Sequence, residues 1–233
     1  MGWQSQLKGD SLSWLLEAEA PGVRYLALRD LLDLPPDAPE LAQAQRLAHT
    51  RGPIAGVLDR MHPEGYWSIP GPGYGVKYRS TVWALILLAQ LGAVIEADER
   101  ILRACLYLME QALAPRGQFS HNGAPSGTID CLQGNLCWAL TELGCADARL
   151  EAAYDWMART VTGEGIAPLS DKKAEVRYYA YKCGPTFACG ANLKLPCGWG
   201  AAKVMLALGK IPAQKRTPLI QRAIAQGIDF LFS

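Results

Sequence analysis

Apolar residues recur along this chain with the period of a helix. Between 98 and 112, Ile101, Leu102, Cys105, Leu108, Met109 and Ala112 fall at spacings of 1, 3, 3, 1 and 3. That is a single helical stripe, and Asp98 just ahead of it has the side chain of an N-cap. Leu132, Leu136, Ala139, Leu140 and Leu143 make a second stripe between Cys131 and Gly144. Further helices are predicted near 11–18, 22–33, 38–48, 53–61, 79–91, 147–160, 198–208 and 216–231. The strict alternation of a half-buried strand is nearly absent, so the expected fold is all-α, with residues 1–233 as one domain. The two longest breaks in the pattern are 62–78 and roughly 163–197. Both carry several aromatic residues and read as ordered loops packed on helices, the second a Cys-rich one.

Aligning the helix ends exposes a repeat. STVWALILLAQLG, CLQGNLCWALTELG and WGAAKVMLALG close on Gly92, Gly144 and Gly209, each placed to take the left-handed position that ends a helix. A second helix follows each, with an aromatic-apolar pair at Tyr107-Leu108, Trp156-Met157 and Phe230-Leu231. The first two pairs are 49 residues apart and the last two 74 apart, the surplus lying in the Cys-rich stretch. Glycine turns come next, at Gly117-Gln118-Phe119 and Gly163-Glu164-Gly165-Ile166, and Gly65-Tyr66-Trp67 after Val57-Leu58 looks like the same element. Hairpins of this kind cannot bury their faces alone and must stack.

Such hairpins, with RACLYLMEQALAPRGQF at 103–119 as the best copy, resemble the repeats of squalene (terpene) cyclases and protein prenyltransferase β subunits. The resemblance covers roughly 50–233 and implies an α/α toroid, or an arc of four to five helical hairpins, with inner helices around an apolar cavity. It implies an isoprenoid-like apolar ligand that can carry a diphosphate head. It also implies a catalytic zinc held by an aspartate, a cysteine at a helix start and a later histidine. Asp130 and Cys131 match the first two. His49, His62 and His121 all precede Asp130, so Cys197 would replace the histidine. The Asp-rich acid motif of the cyclases does not occur, which disfavours cyclisation begun by protonation.

The residues themselves point to chemistry in the same places. Cys183, Cys189 and Cys197 sit in YKCGPTFACGANLKLPCGWG, and Cys131 lies in the first turn of an earlier repeat helix. Four converging thiolates would suit zinc or, less readily, an iron-sulfur cluster; buried free thiols and redox pairing are the alternatives. Cys105, Cys137 and Cys145 read as core residues. Arg177, Tyr178, Tyr181 and Lys182, with Lys172 and Lys173, could donate to a diphosphate or be an ordinary surface loop. Tyr66, Trp67, Tyr74, Trp83, Trp138 and Trp199 could line an apolar cavity or belong to the core. The rival function is a non-catalytic binding or scaffold module whose cysteines pin the long loop.

Charge changes this picture little. The formal net charge is +1, yet 167–233 carries +7 and the remainder −6, so one end could concentrate anions. No basic run of four and no nucleic-acid reader motif occurs, so no nucleic-acid partner is expected. No apolar run reaches about 18 residues, and the start lacks the apolar core of a secretory signal. A cytoplasmic protein that can pair as a homodimer is expected. Phosphate-loop, dinucleotide, zinc-protease and nucleophile-elbow motifs are absent.

Overall fold

The computed structural model describes residues 6–168, 170–174, 177 and 185–233. Among them the chain is all-α, with only isolated bridges such as Leu113–Phe119 and no strand. The helices are α1 (Ser11–Leu15), α2 (Pro21–Asp30), α3 (Pro39–Thr50), α4 (Pro53–Leu58), α5 (Thr81–Gln90), α6 (Glu99–Ala112), α7 (Asp130–Glu142), α8 (Ala148–Thr162), α9 (Gly198–Gly209) and α10 (Pro218–Phe232). Proline opens α2, α3, α4 and α10, where its missing N–H costs nothing. Among the described residues no helix is long and apolar enough to cross a membrane.

The repeat predicted from the helix ends organises the packing. α5 with α6, α7 with α8, and α9 with α10 form hairpins. α7 packs between α5 and α9, while α8 packs on α10. The inner helices α5, α7 and α9 run parallel. At one end the Ile95 N–H donates to the Leu143 carbonyl and Lys210 pairs with Glu142. At the other, Gly200 of α9 faces Asp130 and Cys131 of α7. Gly134 makes the α7–α9 crossing possible, since a Cβ there would lie 2.5 Å from the backbone of Lys203.

The glycine turns are the joints of the stack. Gly65, at φ 99°, abuts the Arg103 carbonyl of α6, and Arg103 donates to the Pro63 carbonyl. Gly117, at φ 85°, abuts the backbone of Ala152 in α8, and Phe119 beside it is wholly buried. Glu164 pairs with Arg222 of α10 at 2.6 Å. So the turn after each of α4, α6 and α8 leans on the next outer helix. Gln133 of α7 locks the middle joint: its Oε1 accepts from the Phe119 N–H, and its Nε2 donates to the carbonyls of Gly117 and Ala153.

One expectation needs correction. Gly92 and Gly144 take the left-handed position (φ 79° and 85°), but Gly209 is not left-handed and lies inside the last turn of α9. Gln111, the glutamine of the best repeat copy, is exposed, and Gln133 supplies the buried amide. A separate small core of Tyr25, Leu28, Leu41 and Ala44 joins α2 to α3. His49 ties α3 to the stack, its Nδ1 donating to the Gln45 carbonyl and its Nε2 accepting from the Val94 N–H.

Candidate functional site

The starts of α7 and α9 bring two of the predicted thiols, Cys131 and Cys197, to the same end of the stack. Asp130 is the first residue of α7 and only 5% exposed, and a carboxylate is favoured at this positive end of a helix. Cys131 follows it, half-buried, and Cys197 is the N-cap of α9. A Cβ on Gly200 would touch the Cβ atoms of Asp130 and Cys197 at 3.6 and 3.8 Å, so the two helix starts are separated only by that glycine. Cys189 lies close enough to interact with Cys131 electrostatically. Burial, with Asp130, Cys197 and Cys189 as neighbours, pushes the Cys131 thiol up to about 11.

Nevertheless, no group of three or more His, Cys, Asp or Glu among the described residues is placed to hold a metal ion. Asp130, Cys131, Cys189 and Cys197 therefore form no such group among the described residues. Cys183 lies outside the described residues, as do Tyr178, Tyr181 and Lys182. Arg177 is half-buried and bridges to Ala167. Cys105, Cys137 and Cys145 are buried, as expected of core thiols.

The aromatic set divides. Trp67, 5% exposed, donates its indole N–H to the Val57 carbonyl at 2.8 Å. Trp67 and Trp83 line a cavity of about 410 Å3 together with Val57, Leu87 and Tyr78. The ring of Tyr74 packs on Trp83 at 5.5 Å and on His121 at 5.9 Å. Burial and the nearby Cys131 raise the Tyr74 hydroxyl above its ordinary range. Tyr74 thus packs on the cavity wall and lies within electrostatic reach of Cys131. Trp138 and Trp199 lie on α7 and α9 away from this cavity, Trp138 half-buried and Trp199 65% exposed beneath the Lys203 ammonium at 4.9 Å. Tyr66 packs on Tyr107 at 5.4 Å instead.

Positions of these helices that are not buried include Trp83 and Leu87 on α5, Cys131, Asn135 and Trp138 on α7, and Trp199, Lys203 and Leu206 on α9. Sequence reasoning missed three features here. One is the pair Arg60 and Arg79, which line the Trp67–Trp83 cavity; nothing in their spacing announces it. Another is Tyr78, whose ring sits 5.1 Å from Trp83. The third is Asp-x-Arg at 98–100 and again at 147–149, 49 residues on, a repeat signature readable in the sequence. The chain matches no known protein-family model, and comparison with characterised proteins and with solved structures finds no match.

Proposed function

We propose that this chain is a prenyltransferase- and terpene-cyclase-like α/α toroid protein that binds an apolar, isoprenoid-like molecule. What carries the reading is a convergence at one end of the stack. The parallel helices α5, α7 and α9 begin there, the ring of Tyr74 packs on Trp83 of the aromatic cavity, and the Cys131 thiol is near enough to raise the Tyr74 hydroxyl. Aromatic walls suit an unsaturated apolar chain, and such pockets are mostly apolar with a few polar groups placed to orient the ligand.

Equilibrium binding of prenyl alcohols and prenyl diphosphates tests this. Binding that Trp83→Ala weakens about tenfold, a loss expected on removing an aromatic wall, would support it. Prenyl compounds that do not bind would defeat it. In the zinc form of the reading, a transferase or lyase, Cys183 would have to complete a set with Cys131, Cys189 and Cys197. Metal content of protein purified without oxygen decides that form. About one zinc per chain, lost in Cys131→Ser and Cys197→Ser, supports the enzyme. The second reading is a non-catalytic binding or scaffold module in which a structural metal held by the cysteines pins the long loop, and zinc that stays bound without any turnover of prenyl compounds would favour it. A homodimer belongs to either reading, and a monomer by light scattering removes it.

A further inference from the structure

Most arginines in the described stack are already engaged. Arg29, Arg100, Arg103, Arg149, Arg159 and Arg222 pair with carboxylates, and Arg24, Arg51 and Arg216 donate to backbone carbonyls. Arg60 and Arg79 have no such partner among the described residues, and both are exposed. One comes from the end of α4 and the other from just before α5, 19 residues on. Even so they line the same cavity, which has Trp67 and Trp83 in its wall and no carboxylate in its lining. Two uncompensated guanidiniums beside an apolar wall repel each other and leave a local excess of positive charge.

The backbone around this cavity is also held in an uncommon shape. Ser68 and Tyr78 are non-glycine residues at φ 65°, in the left-handed region. This region is costly for an aromatic residue and is found where the surroundings enforce it, often at binding sites. The Ser68 hydroxyl donates to the Arg79 carbonyl at 2.7 Å and so ties the two edges of the cavity together. The result holds Tyr78 80% exposed with its ring over Trp83. An exposed tyrosine in a strained conformation at the mouth of an aromatic cavity is a stacking surface without an occupant from the described chain.

We propose that the cavity between α4 and α5 binds an amphiphilic anion, with Arg60 and Arg79 holding its oxyanion head and Trp67, Trp83 and Tyr78 its apolar part. Guanidiniums match the oxygens of phosphate and carboxylate with paired N–H donors. The proposal rests on the apolar-ligand reading above and moves the head group from the 172–182 loop to α4 and the start of α5.

Calorimetric titration with octyl phosphate, octanoate, octanol and inorganic phosphate tests it, each below its micellar range. The two anionic amphiphiles should bind about tenfold or more tightly than octanol, and more weakly as salt is raised. Arg60→Gln with Arg79→Gln should abolish that advantage and its salt dependence, leaving octanol binding unchanged. Lys172→Gln with Lys173→Gln should change nothing. Both arginines are exposed, and thermal unfolding of the double variant confirms an intact fold. If the double variant keeps the anionic advantage, the head-group assignment is wrong while the apolar reading stands. If octanol and the anions bind equally to the wild-type protein, the assignment falls in the same way. If no amphiphile binds, both readings fall.

Discussion

The inner and outer helices of the stack begin in different ways. α6, α8 and α10 each start on a side-chain cap: Asp98 accepts from the Arg100 N–H, Asp147 from the Arg149 N–H and Thr217 from the Ile220 N–H. Arg100 and Arg149 then fold back on their caps at 2.7 and 2.8 Å. α5, α7 and α9 start on Ser80, Ile129 and Cys197, none of which caps with its side chain. Ser80 spends its hydroxyl on the Gly73 and Val76 carbonyls, fastening the preceding loop. A cap closes a helix end with the chain's own atoms. The outer row is finished in this way, and the inner row gives its starts to Asp130, Cys131, Cys197 and the aromatic loop. Stability is concentrated in one row of helix ends, and chemistry is available in the other.

The sharpest way to break this comparison is to part the inner row. Gly134→Ala places a Cβ into the backbone of Lys203, and overpacking of this kind costs about 3 kcal/mol or more. Chemical denaturation should show that loss as a lower midpoint. Gln133→Ala removes the amide that serves Phe119, Gly117 and Ala153. Stranding these buried groups costs roughly 2–4 kcal/mol, read as a lower denaturation midpoint. Next come the caps: Asp98→Ala and Asp147→Ala should each cost about 1 kcal/mol and leave ligand binding as it was.

Smaller effects separate the two rows further. Cys197→Ser puts a good capping residue at the bare start of α9 and should stabilise metal-free protein by a few tenths of a kcal/mol. A loss of stability seen only in zinc-loaded protein would instead mark Cys197 as a ligand. Acid titration should also report the outer row. Asp147, held down to about 2 by Arg149, has a folded value below its ordinary one. Its contribution is therefore complete above about pH 4 and is lost as pH falls toward 2. Asp98 shifts in the same direction for the same cause, its bond to Arg100. In Asp147→Asn the stability-against-pH curve should flatten between about pH 4 and 2.

Much of the outer architecture was legible because it is local. The stripe over 98–112 became α6 with Asp98 as its cap, and the Gly65 and Gly117 turns became equivalent joints. A glycine at positive φ followed by a buried aromatic leaves a trace within three residues. The candidate site was legible only by halves. Equal positions of Cys131 and Cys197 in the repeat indicated that α7 and α9 start side by side, and they do. Whether thiols then converge into a ligand set depends on loop geometry that spacing does not encode. Trp138 and Trp199 carried the same aromatic signal as Trp67 and Trp83, yet the cavity beside α5 is lined by the latter pair and not by the former. Periodicity tells which residues share a face of one helix and is silent on which faces meet. Arg60 and Arg79 left no trace at all, because their significance lies in the carboxylates they lack.

The leaning turns give the stack a direction in time. The turn after α4 rests on α6, that after α6 on α8, and that after α8 on α10. As the chain leaves the ribosome, a hairpin's closing turn has no seat until the following hairpin has emerged. Folding would then trail synthesis by one repeat, 49 residues at the middle joint and more across the Cys-rich insertion, each unit staying provisional until its successor arrives.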